Sequence, residues 1–432
     1  MTDAMMSSPK PQDVLPRAAG TGGSVAVDRC QVCGETALES VLFLGYLPPV
    51  NGMPTIGDRP RQQPAYPAEM LRCPRCQLVQ LGLIVDPGVL FPPEYPYTSG
   101  TTRILRENFA ELAREAVPRL GLGSDDLVID VGSNDGTLLS NFASGHRVLG
   151  IEPTGAGKLA VERGIRTITG FFARPAVEEA LALHGPASLV TATNVFAHIE
   201  AVHEVVENVR ALLSPTGVFV SESHYLLSLV ETLQYDTIYH EHLRYYSLHA
   251  LKYLLEAHGL EVFFARRIPT HGGSIRVYSA RRGTRPVDPA VGAMLAAEVE
   301  AGLLADRLPR FRRDVVLAKL KLLELLHAAK RAGARIYGIG APSRASTLIN
   351  YVGLGDGVLD AVLEIKGSYK IGKCMPGTLI PVVEESRLVQ DQPEYAMLLS
   401  WHLADELIPK LTAQGFRGQY IVPLPEPRIV GG

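Results

Sequence analysis

No uninterrupted apolar stretch in this sequence approaches the ~20 residues needed to cross a bilayer. The first 25 residues, rich in Ser, Pro, Gly and Ala, hold no apolar segment of signal-peptide type. These absences lead us to expect a cytoplasmic protein with no membrane partner and a disordered tail over residues 1–25. Charge of one sign is lacking too. The 42 Lys and Arg against 45 Asp and Glu leave a formal charge of −3. No basic cluster interleaved with aromatics offers a groove to a nucleic acid. Cysteine is scarce, at five residues, which argues against a disulfide scaffold. What is present is ordinary globular composition, 46% hydrophobic and 20% charged. At 432 residues the chain is too long for one core, so two or three domains are expected.

The few cysteines have a pattern. Cys30 and Cys33 form one C-x2-C pair, Cys73 and Cys76 a second, and Cys374 stands alone. Four thiolates can close around one tetrahedral Zn²⁺ and leave no open position for catalysis, so a structural site is expected. Two disulfides or redox pairs are the alternative. Neither a secretory segment nor a βαβ context around the cysteines supports it.

LVIDVGSNDGTLL, residues 127–139, carries the most chemistry. An apolar strand bears Asp130 near its end, passes through Gly132 and Gly136, and leads into a predicted helix. Strand, glycine loop and helix together hold nucleotide-like cofactors. The acids Asp130 and Asp135 decide which one. A dinucleotide pyrophosphate seeks bare N–H groups at a helix N-terminus, and two carboxylates beside it would repel it. S-adenosylmethionine (SAM) instead brings an ammonium and a sulfonium. About twenty residues on, RVLGIEP ends a second strand at Glu152, where an acid can accept from both ribose hydroxyls. Further strands in RTITGFF, ASLVTATNVFAHI and GVFVSESHY alternate with helices and predict a doubly wound, largely parallel sheet. Ligands bind at the carboxyl ends of such strands, where Asp130, Glu152, Asn194 and Glu222 fall. The expected cofactor residues are Asp130, Gly132, Asn134, Asp135, Glu152 and Asn194.

A second alternating block begins near residue 315. VVLAKLKLLELLHAAKRAG predicts a helix stopped by Gly333, and ARIYGIGAPSRASTLINY reads as strand, glycine loop and helix. This loop carries Arg344 and no acid, which suits an anionic phosphate; a packing turn is the plainer alternative. Between the blocks lies YDTIYHEHLRYYSL, residues 235–248. Metal binding by His240 and His242 is disfavoured, because their i, i+2 spacing shares no helical face and is not that of HExxH. Acid–base chemistry fits better. A histidine takes a proton near neutrality, Glu241 can hold it or a substrate hydroxyl, and Tyr239 can donate to a developing oxyanion. A polar helix start is the bland alternative. His198 follows the strand expected beside the donor methyl, with a satisfied helix-start histidine as the alternative; His271 precedes two glycines that allow close backbone approach to a ligand, or form a simple hairpin turn.

These motifs, in this order, resemble the sugar C-methyltransferases that act on nucleotide-linked 4-keto-deoxysugars in antibiotic and surface-glycan pathways. The likeness covers nearly all the chain after the tail: the four-cysteine module, YPYTSGT, GSNDG, NVFAHI, YDTIYHEH, HGGSIRVY and PGTLIPV. It implies an α/β protein with a zinc-binding domain over 26–100 and a Class I SAM methyltransferase Rossmann-like sheet over 101–285. A C-terminal Rossmann-like nucleotide-sugar-binding domain would occupy 286–432. One structural Zn²⁺, SAM as donor, no metal in the chemistry and no protein partner are implied. By motif, His242 would be the base, Glu241 and Tyr239 would line the sugar site, His198 would lie near the reacting centre, and Tyr97 would close it. Substrate contacts are expected from His271, Arg344 and Lys370. The implied reaction forms an enolate beside a ketone and methylates carbon, at C3. Methylation of O or N on a sugar or other small metabolite, and a zinc-dependent nucleic-acid-binding protein, are the alternatives. GAPSRAS, VLEIKGSYKIGK and His224 in SESHYLL depart from the family pattern where the sugar or nucleotide is read, so they bear on the substrate.

Overall fold

The computed structural model describes residues 17–91 and 98–431. The chain forms two compact units, neither of them one continuous stretch. The first comprises the chain up to Glu39, Leu71–Leu226 and Leu243–Leu304; the second comprises Ser40–Met70, Leu227–His242 and the chain from Ala305 onward. Tyr97 lies outside the described residues.

The first unit is built on seven strands: β1 (Leu127–Val131), β2 (Arg147–Glu152), β3 (Thr167–Thr169), β4 (Ala187–Thr193), β5 (Leu213–His224), β6 (Leu260–Ile268) and β7 (Ser274–Arg281). Their spatial order is β3-β2-β1-β4-β5-β7-β6. β1 to β5 run parallel, and β7 lies antiparallel to both β5 and β6. This is the Class I SAM methyltransferase sheet. Every residue of β1 is buried, which explains its unbroken apolar run around Asp130: a central parallel strand is covered on both faces. Winding reverses between β1 and β4, so the ends of β1, β2 and β4 border one crevice. The helix Arg103–Leu120 buries Leu105, Phe109, Leu112, Ala113 and Ala116 at spacings of three and four, as the sequence predicts.

The loop after β1 departs from expectation. Instead of a helix, a single 3₁₀ turn forms at Leu139–Asn141. Gly136 O accepts both the Ser140 N–H and its hydroxyl, and Thr137 O accepts the Asn141 side-chain amide. A long helix dipole aimed at an anion is therefore missing here, which agrees with a cationic donor.

The second unit carries β8 (Ile336–Ile339), β9 (Ala361–Glu364), β10 (Val382–Glu384), β11 (Tyr395–Leu398), β12 (Gln419–Val422) and β13 (Arg428–Val430), ordered β10-β9-β8-β11-β12-β13. All but the last pair in parallel. It is the expected second Rossmann-like sheet, with its winding reversal beside the loop after β8. The helix Arg307–Arg331 precedes it and buries Leu308, Phe311, Val315, Ala318, Leu322, Leu326 and Ala329. No helix among the described residues is long and apolar enough to cross a membrane.

Candidate functional sites

In the first unit the four cysteines converge. The Sγ atoms of Cys30, Cys33, Cys73 and Cys76 all lie within 4.8 Å of one another, and none is in a disulfide. Cys30 approaches Cys76, and Cys33 approaches Cys73, at 3.4 Å each. Tetrahedral Zn–S bonds of ~2.3 Å place sulfurs somewhat under 4 Å apart, so the cage fits the ion. Each pair sits in a tight turn: Gly34 N–H donates to Cys30 O, and Gln77 N–H to Cys73 O, with left-handed φ at Gly34 (74°) and Gln77 (63°). The site is closed by protein ligands and structural.

The donor loop is held by its own backbone. Gly132, at φ 67°, is needed because a Cβ there would meet Val195 Cγ2 at 2.3 Å. Glu152 accepts from Asn134 N–H at 2.9 Å and Thr154 N–H at 2.8 Å. Each carboxylate oxygen keeps a further lone pair for a ribose hydroxyl. Asp130 is 2% exposed and accepts from the Thr191 hydroxyl at 2.6 Å. Burial pushes its carboxyl up to about 7, the Thr191 bond opposes this, and Glu152 and Glu222 add repulsion. Asn194, at φ 57° just past β4, donates its N–H to Glu222 O, and its buried Oδ1 has no partner among the described residues. Such an acceptor suits a ligand donor.

Two other acids picked out in the sequence, Asp135 and Glu222, are engaged by partners of the fold. Asp135 accepts from Thr137 Oγ1 at 2.6 Å and Gly100 N–H at 3.2 Å, and it pairs with Arg163 at 3.0 Å. It therefore shapes the loop. Glu222 accepts from Arg276 Nε at 2.5 Å and Asn108 Nδ2 at 2.7 Å, both buried. The sequence reading placed Glu222 at a ligand-facing strand end and missed Arg276, whose guanidinium satisfies it. His198 is half-buried, with its ring edge-on to Phe91 at 6.0 Å. His271, at φ 56°, stacks on His224 at 5.4 Å.

The second unit gathers the YDTIYHEH residues. His242 is buried, and its Nδ1 lies 2.7 Å from Thr237 O. A carbonyl only accepts, so Nδ1 carries a proton here and the bond fixes the plane of the ring. The Tyr239 ring packs against it, centroids 4.2 Å apart. Glu241 is 4% exposed and accepts from Asn51 Nδ2 at 2.9 Å. His240 is turned to other work: Nε2 meets Pro67 O at 3.2 Å, Tyr66 stands edge-on, and burial pushes its imidazolium below the usual range.

Arg344 corrects the phosphate reading of its loop. Its Nε and one terminal nitrogen donate bidentately to Asp236 at 2.8 Å each, and the other terminal nitrogen meets His402 Nδ1 at 3.0 Å. Trp401 Nε1–H donates to the same carboxylate at 2.7 Å. The charge an anion would seek is already met by Asp236, a residue the motif displayed without a role. Lys370 donates to Ala341 O, beside the glycine loop. Desolvation pushes its ammonium below the usual range, against the pull of Glu364 and Glu241.

Comparison with known proteins covers most of the chain. Residues 269–425 match a C-methyltransferase C-terminal domain, 104–263 a methyltransferase domain, and 30–91 a domain described as zinc binding. C-methyltransferase NovU of Streptomyces niveus is 35% identical over 411 residues, covering 94% of this chain and 97% of NovU. The chain belongs to the C-methyltransferase family. It is a SAM-dependent enzyme that also carries a zinc-binding module. Among solved structures, a SAM-dependent methyltransferase from Clostridium acetobutylicum is similar over 43% of this chain and 94% of its own, at 12% identity and TM-score 0.34. Magnesium protoporphyrin IX methyltransferase from Synechocystis, solved with bound SAM, is similar over 41% and 79%, at 14% identity and TM-score 0.32.

Proposed function

We propose that the enzyme methylates C3 of a nucleotide-linked 4-keto-deoxysugar, with His242 as the base. The observation that carries this reading is the Nδ1–H of His242 against Thr237 O at 2.7 Å, which fixes the ring and makes Nε2 the nitrogen that would exchange a proton with substrate. A C4 ketone acidifies the neighbouring C–H. Nε2 takes that proton, the C–H electron pair becomes the C3–C4 double bond of an enolate, and charge gathers on the ketone oxygen. The Tyr239 hydroxyl donates to that oxygen, and Glu241 accepts from a sugar hydroxyl. SAM, when bound, supplies an electrophilic methyl on a sulfonium. Transfer of that methyl to the enolate carbon would break its bond to sulfur, leave S-adenosylhomocysteine and restore the C4 ketone, while the imidazolium of His242 returns its proton to solvent.

In this reading Asp130 faces the donor's cationic groups, Glu152 its ribose, and Asn194 a donor N–H, while Gly132, Asn134 and Asp135 shape the loop. Lys370 and His271 are assigned to the substrate, Arg344 to holding Asp236 and the loop, and His198 and Tyr97 to the reacting centre. The zinc-binding, donor-binding and nucleotide-sugar-binding stretches are 26–100, 101–285 and 286–432. The cytoplasm is the assigned compartment, with no nucleic-acid or protein partner.

The test is proton exchange in deuterated water with a nucleotide-linked 4-keto-6-deoxysugar and S-adenosylhomocysteine. Deuterium at C3 with the wild type, absent with His242→Ala, is expected. Full exchange by His242→Ala would remove it as the base, and exchange at another carbon would move the methylation site.

A further inference from the structure

The Ser40–Met70 segment of the second unit holds no residue of the proposed reaction, yet it delivers Asn51 to Glu241. Asn51 Nδ2 donates to Glu241 Oε1 at 2.9 Å, and Asn51 Oδ1 accepts from the Tyr369 hydroxyl at 3.4 Å. Both ends of the amide are engaged, which settles which is nitrogen and which is oxygen. All three segments of the unit thus supply a residue to this chain of bonds. We infer that Asn51 is a positioning residue, whose amide holds the Glu241 carboxylate in one orientation as a fixed acceptor for a substrate hydroxyl.

The hydroxyl rests on the sugar reading above; the Asn51–Glu241 bond does not. An N–H donor favours the charged form of a carboxylate, and an ionised carboxylate has acceptor atoms only. It therefore selects a ligand with a proton to give, and an ether or deoxy carbon at that place gains nothing from it. The titratable groups around Glu241 in this unit are Lys370 and Tyr369, which both sense its charge, and Glu364, whose charge those two also sense. His240 and His242 flank it in the chain. Lys370 supplies counter-charge while its nitrogen donates to Ala341 O, and Asn51 Nδ2 donates to the carboxylate itself.

Two measurements on the full-length zinc-loaded enzyme test this. In the first, the Asn51 side-chain amide is followed by NMR, assigned by its disappearance in Asn51→Ser. Its proton is expected downfield in the wild type and displaced in Glu241→Ala. In the second, Asn51→Asp sets a carboxylate against Glu241. Two carboxylates this close cannot both ionise, so the pair takes up a proton. The KM for the sugar should rise on the order of tenfold, with a smaller change in kcat. Lowering the pH should relieve the rise, because the introduced carboxyl, once protonated, again offers a donor. Asn51→Ser should raise KM without that pH dependence. An amide signal indifferent to Glu241→Ala, or wild-type KM at every pH in Asn51→Asp, overturns the inference. A responsive amide together with no turnover of any nucleotide keto sugar overturns the sugar reading and leaves the Asn51 bond standing.

Discussion

At Asp130, burial and function pull in opposite directions. Burial pushes its carboxyl up to about 7, while a cationic donor favours the ionised form. Affinity for SAM should therefore increase as pH rises through about 7 and then level off, with a proton released on binding. Asp130→Asn should bind more weakly and without that dependence, and calorimetry at several pH values checks both. The same shift acts on folding. Between the ordinary carboxyl value of 3.8 and about 7 the folded protein holds a proton the unfolded chain has lost, so this group's contribution to stability falls as pH rises across that window. His242→Ala should lower turnover by about 10²–10⁴-fold while calorimetric donor binding stays intact; unchanged turnover would remove the base assignment. Both residues stand out in the sequence because each sits in a motif whose residue types suggest a chemistry. Asn51 carries no such signal, since an isolated Asn after two prolines reads only as a turn.

Among the elements, the donor loop depends on one backbone conformation. Gly132→Ala must place a Cβ 2.3 Å from Val195 Cγ2 at a left-handed φ. We expect a loss of roughly 1–3 kcal/mol in denaturant unfolding and a larger proportional loss of donor affinity. Near-normal binding would mean Val195 swings aside freely. Strands β5 and β7 are tied to the helix Arg103–Leu120 by buried Glu222, Arg276 and Asn108 and by half-buried Glu115, with Arg276 Nη1 donating to Glu115 at 2.9 Å. Glu222→Ala leaves Arg276, fully buried, without its closest carboxylate. About 3–5 kcal/mol of destabilisation is expected, measured by urea unfolding; a loss under about 1 kcal/mol would show that Glu115 alone can satisfy the guanidinium. Strand and helix alternation was readable from hydrophobic period, but the missing helix after GSNDG was not. Its residues are compatible with a helix, and the side-chain bonds of Ser140 and Asn141 to loop carbonyls appear only once the turn is built.

For the whole molecule, the zinc site joins two stretches forty residues apart through Cys33 and Cys73. Chelation, or Cys73→Ser, should lower the melting temperature and be reversed for the wild type by added Zn²⁺. Catalysis in the protein that remains folded should change little, because four protein ligands leave no position for a reacting group. A direct loss of kcat at temperatures where the fold persists would contradict a structural role.

Spacing and period by themselves determined that this protein has a four-thiolate zinc module, two wound α/β sheets and an acid-bearing donor loop, because those signals are local in the chain. The tertiary structure alone decided which charges remain for ligands. Arg344 is met by Asp236 across 108 positions, Glu222 by Arg276 across 54, and Glu241 is oriented by Asn51 across 190. Such pairs are made by burial, which forces each polar group to find a partner wherever the folded chain brings one, and no spacing in the sequence announces them.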